Sequence, residues 1–468
     1  MVEPELALQS ALRTFATILV GVSTDGSGEW VTRGTCVIIA AMLTTTFDER
    51  RRLEQLPPVE LADHQLNRLN ALLGRILPHN RFYTERMTDI ATPLSSLEQL
   101  NDLPFTFKDD LVNNPLGGDF ASNVTFPIEQ YVRFHRTSGT RGRPMVVLDT
   151  ADDWQWWIDT WQFVFDAAEL GPEDRVMLAF SFGPFIGFWS AHDAAIARGA
   201  LVIPGGGLNT IGRLELIRSS RTSTLLCTPS YAMHMAEAAQ DNQIDAAALD
   251  VRRIIVAGEP GGSIPSIRDR IGAAWNARVI DQGGASELGP WGYADPAGRG
   301  LYVNESEFIA EFLSVETGQA AGEGELSELV LTTLGRAGSP VIRYRTGDLV
   351  RPTWNVDGDN HFVLLDGGVL GRCDDMMIIR GVNVFPSSVE QILRSFPEVI
   401  EYRMTALRDG EMDALSVEIE DRLNAPERVA KELQLRLGLR VEVRAVEIGS
   451  LPRFETNGRR FVDRRREG

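Results

Sequence analysis

The sequence predicts an α/β protein: a large, multi-layered N-terminal domain with mainly parallel sheets, followed by a small α+β C-terminal domain. Three observations predict it. Between Val132 and Val350, short apolar or β-branched runs such as RVMLAF (175–180), ALVIPG (200–205), TLLCTP (224–229) and RRIIVAG (252–258) alternate with helical patterns. Strands and helices alternating in this way build parallel sheets with helices on their faces. The 468 residues, 43% of them apolar, are more than one core requires. After Asp348 the text becomes turn-rich (TWNVDGDNHFVLL, 353–365), and near Gly371 a compact mixed tail begins.

Taken in order, residues 1–50 form an extension. Their apolar runs FATILV (15–20) and CVIIAAML (36–43) fall short of the roughly 18–20 residues that span a bilayer. No basic segment with a small-residue cleavage site precedes them. The stretch is read either as weakly ordered chain or as text ahead of a true start at Met42. Residues 51–77 place leucines at three- and four-residue spacing, which predicts a helix pair packed on something larger. The segments GRLELIRSS (212–220) and AMHMAEAAQ (232–240) supply helices between the strands. Trp154, Trp157 and Trp161 recur at helical spacing and are read as core. These patterns give a large domain over 51–370 and a small, mobile one over 371–468, with the boundary at Gly371 to Asp375.

A formal charge of −19 argues against nucleic-acid partners, which require a basic surface. Cys36, Cys227 and Cys373 match no metal or disulfide spacing, so a reduced, cytoplasmic setting is expected. Only Lys108 and Lys431 are lysines, the other basic residues being arginine.

Chemistry is concentrated in a few loops. HRTSGTRGRP (135–144) lies between two strand-like runs, and its small hydroxylated and glycine residues let backbone N–H groups converge on a polyanion. It lacks the GKS or GKT ending of a P-loop. Downstream follow AGEPGG (257–262), DQGGASE (281–287), YRTGDLV (344–350) and GRCDDMMIIRGVNVFP (371–386). These five ordered motifs resemble the adenylate-forming superfamily of acyl-CoA synthetases, adenylation domains and luciferases. The likeness covers roughly residues 54–465. LPPVELADHQLNRLNALL, RFYTERM and LPFTFKDDL (103–111) make the phenylacetate-CoA ligase branch the most similar.

The resemblance implies ATP and Mg²⁺ as cofactors, a small aromatic substrate, and a monomer or homodimer that meets neither membrane nor nucleic acid. It places Thr137, Ser138, Gly139, Thr140 and Gly142 on the ATP phosphates, with Arg141 and Arg143 adding charge. Glu287, after Ser286, matches the Mg²⁺ carboxylate; Asp348 matches the ribose ligand; Arg372 matches a ribose or phosphate contact. Gly258, Glu259 and Pro260 match the segment lying against adenine, and Asp374 the hinge of the small domain. Phe182, Phe185, Phe188 and Trp189 fall where relatives line the acid pocket, alongside Gly283 and Gly284.

Two departures stand out. Relatives stack a tyrosine on adenine where this chain has Gly283, which leaves Trp291 as the expected substitute. Relatives also end in a form like PRFxGKxxRxxD, whereas PRFETNGRRFVD (452–463) sets Asn457 at the lysine's position. That lysine's charge is worth about 4 kcal/mol at an effective dielectric near 20. Asparagine offers a dipole and no charge, so Arg459 or Arg460 is the candidate replacement. Three readings follow: an aromatic-acid:CoA ligase using an arginine; an enzyme adenylating an unusual small acid; a nucleotide binder without catalysis. The second is the preferred specific reading. The branch includes diazotases of specialised metabolism, which activate nitrite for transfer to an aromatic amine. Retention of Glu287, Asp348 and Arg372 argues against the third. Whether CoA is used stays open, because VNVFP (382–386) also occurs in members without CoA.

Overall fold

The computed structural model describes residues 43–112, 120–137, 144–180, 183–354, 358–373, 377–379, 382–409, 412–452 and 460–465. Near the start of the described chain is a helix, Phe47–Glu54, opened by Thr46 and Glu49 in a reciprocal capping box. Arg50 on this helix is buried and grips Asp166 with Nε and Nη2 at 2.6 and 3.0 Å. The fold therefore begins ahead of Arg51, and residues 43–50 pack as part of the large unit. The next helix, Pro58–Ile76, buries Leu61, Leu69, Leu72, Leu73 and Ile76, the stripe that three- and four-residue spacing produces.

The large unit is built on a nine-stranded sheet of order β13-β14-β9-β8-β7-β6-β5-β3-β4. Its parallel part comprises β3 (Arg175–Leu178), β4 (Leu201–Pro204), β5 (Thr224–Cys227), β6 (Arg253–Val256) and β7 (Arg278–Ala285). These strands are short and largely apolar because helices cover both faces. Beyond β7 the sheet continues antiparallel through β8 (Gly289–Ala294), β9 (Gly300–Val303), β14 (Leu364–Asp366) and β13 (Pro352–Thr353). A second, antiparallel sheet holds β10 (Phe308–Ser314), β11 (Ser327–Thr333), β12 (Tyr344–Val350) and β15 (Gly371–Arg372). A two-stranded ribbon, β1 (Tyr131–Arg136) and β2 (Val146–Thr150), brackets the loop over 138–143.

The helix Ala151–Ala167 runs through the middle of the core, with Trp154, Trp157 and Trp161 all buried. The tryptophan run is core, as its spacing predicts.

After Arg372 the pairing partners change. Met377 and Ile379 belong to a separate apolar cluster with Val389, Leu393, Met404, Val417 and Val429. This smaller unit carries a four-stranded sheet of order β20-β19-β18-β21 (Glu442–Ala445, Met412–Asp421, Val399–Asp409, Phe461–Asp463), with helices Pro386–Arg394 and Pro426–Leu437. Among the described residues no helix is long and apolar enough to cross a membrane.

Candidate active site

The site assembles where β7 ends, at the carboxyl edge of the parallel strands. Glu287 follows β7 and is buried, with Oε1 accepting from Tyr344 Oη at 2.8 Å. Lys108 Nζ stands 3.2 Å from the same oxygen. Burial works against the charged carboxylate, but Lys108 and the Tyr344 hydroxyl outweigh it and hold the Glu287 carboxyl below its ordinary range. The same proximity, added to burial, pushes the Tyr344 phenol up.

Lys108 reaches this place through a non-local contact. Thr106 bridges Tyr344 in parallel: its N–H donates to Arg343 O, and its O accepts from Arg345 N, both at 2.9 Å. The LPFTFKDDL segment thereby adds to the edge of β12 and delivers its lysine to a carboxylate 179 residues away. Lys108 and Tyr344 both lie in motifs quoted above, yet neither was assigned a role there. No local pattern reports a pairing at such a distance.

Asp348 and Arg372 are register partners on β12 and β15, and Arg372 Nη1 donates to Asp348 Oδ1 at 2.8 Å. Ser286 presents its carbonyl to Arg336 Nη1 at 3.0 Å. Gly258 takes a positive φ, and the neighbouring Glu259 carboxylate accepts from Ser230 N at 2.6 Å. Burial raises the Glu259 carboxyl. Thr137 closes the neck of the loop: its N–H donates to Met145 O and its hydroxyl accepts from Met145 N. That hydroxyl holds the loop's base. Ser138, Gly139, Thr140, Arg141, Gly142 and Arg143 lie outside the described residues, as do Phe182, Asp374, Asn457 and Arg459.

Three expectations are corrected. Trp291 is only 1% exposed. Its ring lies 2.8 Å from where a Cβ on Gly283 would stand, so it fills the space of the absent side chain from within the core. It offers no open face for adenine, and Gly284 is the exposed member of the pair. Phe188 turns inward with Ala191 and Ala195 and joins the core, edge-on to Trp189. Of the described aromatics only Phe185, 44% exposed, and the partly buried Trp189 remain for a pocket wall. Trp189 Nε1 donates to Gly183 O at 2.9 Å, fixing the wall to the glycine turn. Arg460 is held by Glu401 through Nε and Nη2, at 2.6 and 3.1 Å, and is not free to replace a lysine.

Among the described residues no three His, Cys, Asp or Glu side chains gather as a metal cage. One buried carboxyl, held below its ordinary range by Lys108 and Tyr344, instead fits Mg²⁺, which usually takes one or two carboxylates together with substrate phosphates. Glu287 would hold it.

Comparison with known proteins follows the same line. Residues 381–465 match the family described as AMP-binding enzyme C-terminal domain. A phenylacetate-coenzyme A ligase of Pseudomonas putida is 32% identical over 423 residues, covering 86% of this chain and 94% of that protein. Another, from Thermus thermophilus, is 30% identical over 445 residues, covering 88% and 99%. The chain belongs to the phenylacetate-coenzyme A ligase family. It is an ATP-dependent, AMP-forming ligase of the adenylate-forming fold. Among solved structures, a 2-hydroxyisobutyryl-CoA ligase in its postadenylation state is 26% identical, with a TM-score of 0.84 over 90% of this chain and 94% of that one. The same ligase in its thioesterification state scores 0.68.

Proposed function

We propose that the chain joins an aromatic carboxylic acid to CoA through an acyl-adenylate. In the first step a carboxylate oxygen attacks the α-phosphorus of ATP, and the bond to pyrophosphate breaks. In the second the CoA thiolate attacks the acyl carbon, and AMP leaves. Glu287 would hold Mg²⁺, Asp348 with Arg372 would take the ribose, residues 138–142 would take the β- and γ-phosphates, and Phe185 with Trp189 would contact the aromatic ring. The small unit would turn about Asp374, within the Gly371–Asp375 boundary, between steps.

The observation that carries this reading is the Lys108–Glu287 pair. The departure at Asn457 removes a cation from the adenylation step, and Lys108 supplies one at the metal carboxylate from the opposite end of the chain. A charge of this kind, in a partly screened site, is worth about 4 kcal/mol. The relatives named phenylacetate-coenzyme A ligase over nearly their whole length support the aromatic acid and the CoA acceptor.

Asn457 also favours a second reading, in which nitrite is the acid and an aromatic amine the acceptor. One screen separates the two: pyrophosphate release with benzoate- and phenylacetate-type acids with and without CoA, and with nitrite plus aromatic amines. CoA-dependent turnover of the carboxylic acids is expected, with Asn457→Lys raising it further. A diazo product from nitrite, with no thioester from any acid, would replace the first reading by the second.

A further inference from the structure

Between the β1–β2 ribbon and the segment before Glu287 lies a buried charge that the chemistry above leaves unused. Arg336, in the turn after β11, is fully buried. Its Nε donates to Asp149 Oδ1 at 2.7 Å, and its Nη1 donates to Ser286 O at 3.0 Å. Asp149 sits on β2, the strand leaving the phosphate loop, and is also fully buried. Ser286 is the residue before Glu287. Around this link the packing is close. Trp157 lies 5.3 Å from the guanidinium and donates Nε1 to the same Asp149 oxygen. Asp149 Oδ2, which makes no hydrogen bond, faces His135 Nδ1 at 3.9 Å. His135 belongs to β1, the strand entering the loop, and stacks on Trp154. Both strands that carry the phosphate loop thus converge on one carboxylate. Gly335 has no room for a Cβ, which would stand 2.1 Å from the Trp156 ring, so the turn holding Arg336 cannot shift sideways.

We propose that Arg336 is a positioning residue for adenylation: it braces the phosphate-loop ribbon against the peptide that carries the metal carboxylate, so that ATP phosphates and Mg²⁺ meet in fixed register. The inference rests on the reading of Glu287 as the metal carboxylate. Stability alone does not call for this pair, since well-packed apolar residues often serve as well as a buried ion pair. What apolar residues lack is the planar fork, which directs two donors at a set angle to two different segments. Mg²⁺ makes that angle matter, because it demands near-ideal octahedral geometry.

The test follows pyrophosphate release by the full chain against Mg²⁺ concentration at saturating ATP and acid, with thermal melts of each variant. Arg336→Lys keeps the charge beside Asp149 but cannot reach both partners. Asp149→Asn combined with Arg336→Met removes the brace without leaving a lone buried charge. Both are expected to fold, to need about tenfold more Mg²⁺ for half-maximal rate, and to lose about tenfold in kcat, with KM for the acid unchanged. An Arg336→Lys protein with the original Mg²⁺ requirement and kcat would overturn the proposal. So would activity losses that only track loss of folded protein, or failure of both variants to fold. Glu287→Gln is run alongside. If its Mg²⁺ requirement is unchanged, the metal reading falls and this inference with it. If it shifts while Arg336→Lys does not, the brace alone is refuted.

Discussion

Lys108 Nζ lies 3.2 Å from Glu287 Oε1, which joins a half-exposed cation from the N-terminal part of the chain to the buried carboxylate that ends the nucleotide-side strand. Tyr344 Oη donates to the same oxygen at 2.8 Å. Against burial, the ion pair and the phenol hydrogen bond together hold the Glu287 carboxyl below its ordinary range.

The first prediction concerns that ammonium. Lys108→Met removes the cation without creating a large cavity, and the adenylation rate is expected to fall by about 10²-fold. Lys108→Arg should recover only part of the loss, since a planar guanidinium does not replace a compact ammonium. Exchange of labelled pyrophosphate into ATP measures the step directly. A Lys108→Met enzyme with the original exchange rate would remove Lys108 from the chemistry.

Tyr344→Phe deletes a hydrogen bond to a charged acceptor and nothing else. Such bonds contribute about 1.5–3 kcal/mol, so kcat/KM for Mg-ATP is expected to drop by about tenfold or more, with little change in melting temperature. Steady-state kinetics at several Mg²⁺ concentrations provides the check.

Glu305 gives a pH signature unrelated to catalysis. Burial pushes its carboxyl up to about 7, and the hydrogen bond from Val363 N at 2.6 Å only partly offsets this. A carboxyl raised on folding favours the protonated native form. Its stabilising contribution is therefore full below the unfolded value near 4.5 and is lost as pH rises through about 7. Glu305→Gln is expected to stabilise the protein by about 2 kcal/mol at pH 8, after allowance for partial exposure, and by almost nothing near pH 4. Denaturant melts at the two pH values test this; a gain that is the same at both would contradict it.

Arg50→Met tests the start of the fold. Asp166 keeps Arg198 at 2.6 Å but loses its two-pronged partner. Breaking a buried pair by removing one side costs about 3 kcal/mol or more. A lower unfolding midpoint is expected, with unchanged activity per folded molecule.

Legibility differed between fold and site for physical reasons. The parallel strands were readable because a strand covered on both faces is an unbroken apolar run. Glu287, Asp348 and Arg372 each sit in an ordered motif, which is why the sequence singles them out, and β12 and β15 bring Asp348 and Arg372 into register. Lys108 was not readable, because its role depends on Thr106 pairing with Tyr344, a contact that leaves no periodicity behind. Trp291 misled for a related reason: its position on β8 beside Gly283 was inferable, but the direction of its ring depends on packing against the tryptophan-bearing helix. Phe188 shows the same limit, since a four-residue aromatic cluster on a helix start cannot all face one way.

The Thr106 bridge also sets a schedule. Thr106 Oγ1 donates to Ile342 O at 2.7 Å across 236 residues, so the segment bearing Lys108, which Arg86 can already hold through Phe105 O, lacks its β12 partner until that strand leaves the ribosome. At roughly 5–20 residues per second that interval is on the order of ten to fifty seconds. Throughout it LPFTFKDDL lacks its β12 neighbour, and Lys108 is not yet held beside Glu287 by the Thr106 bridge.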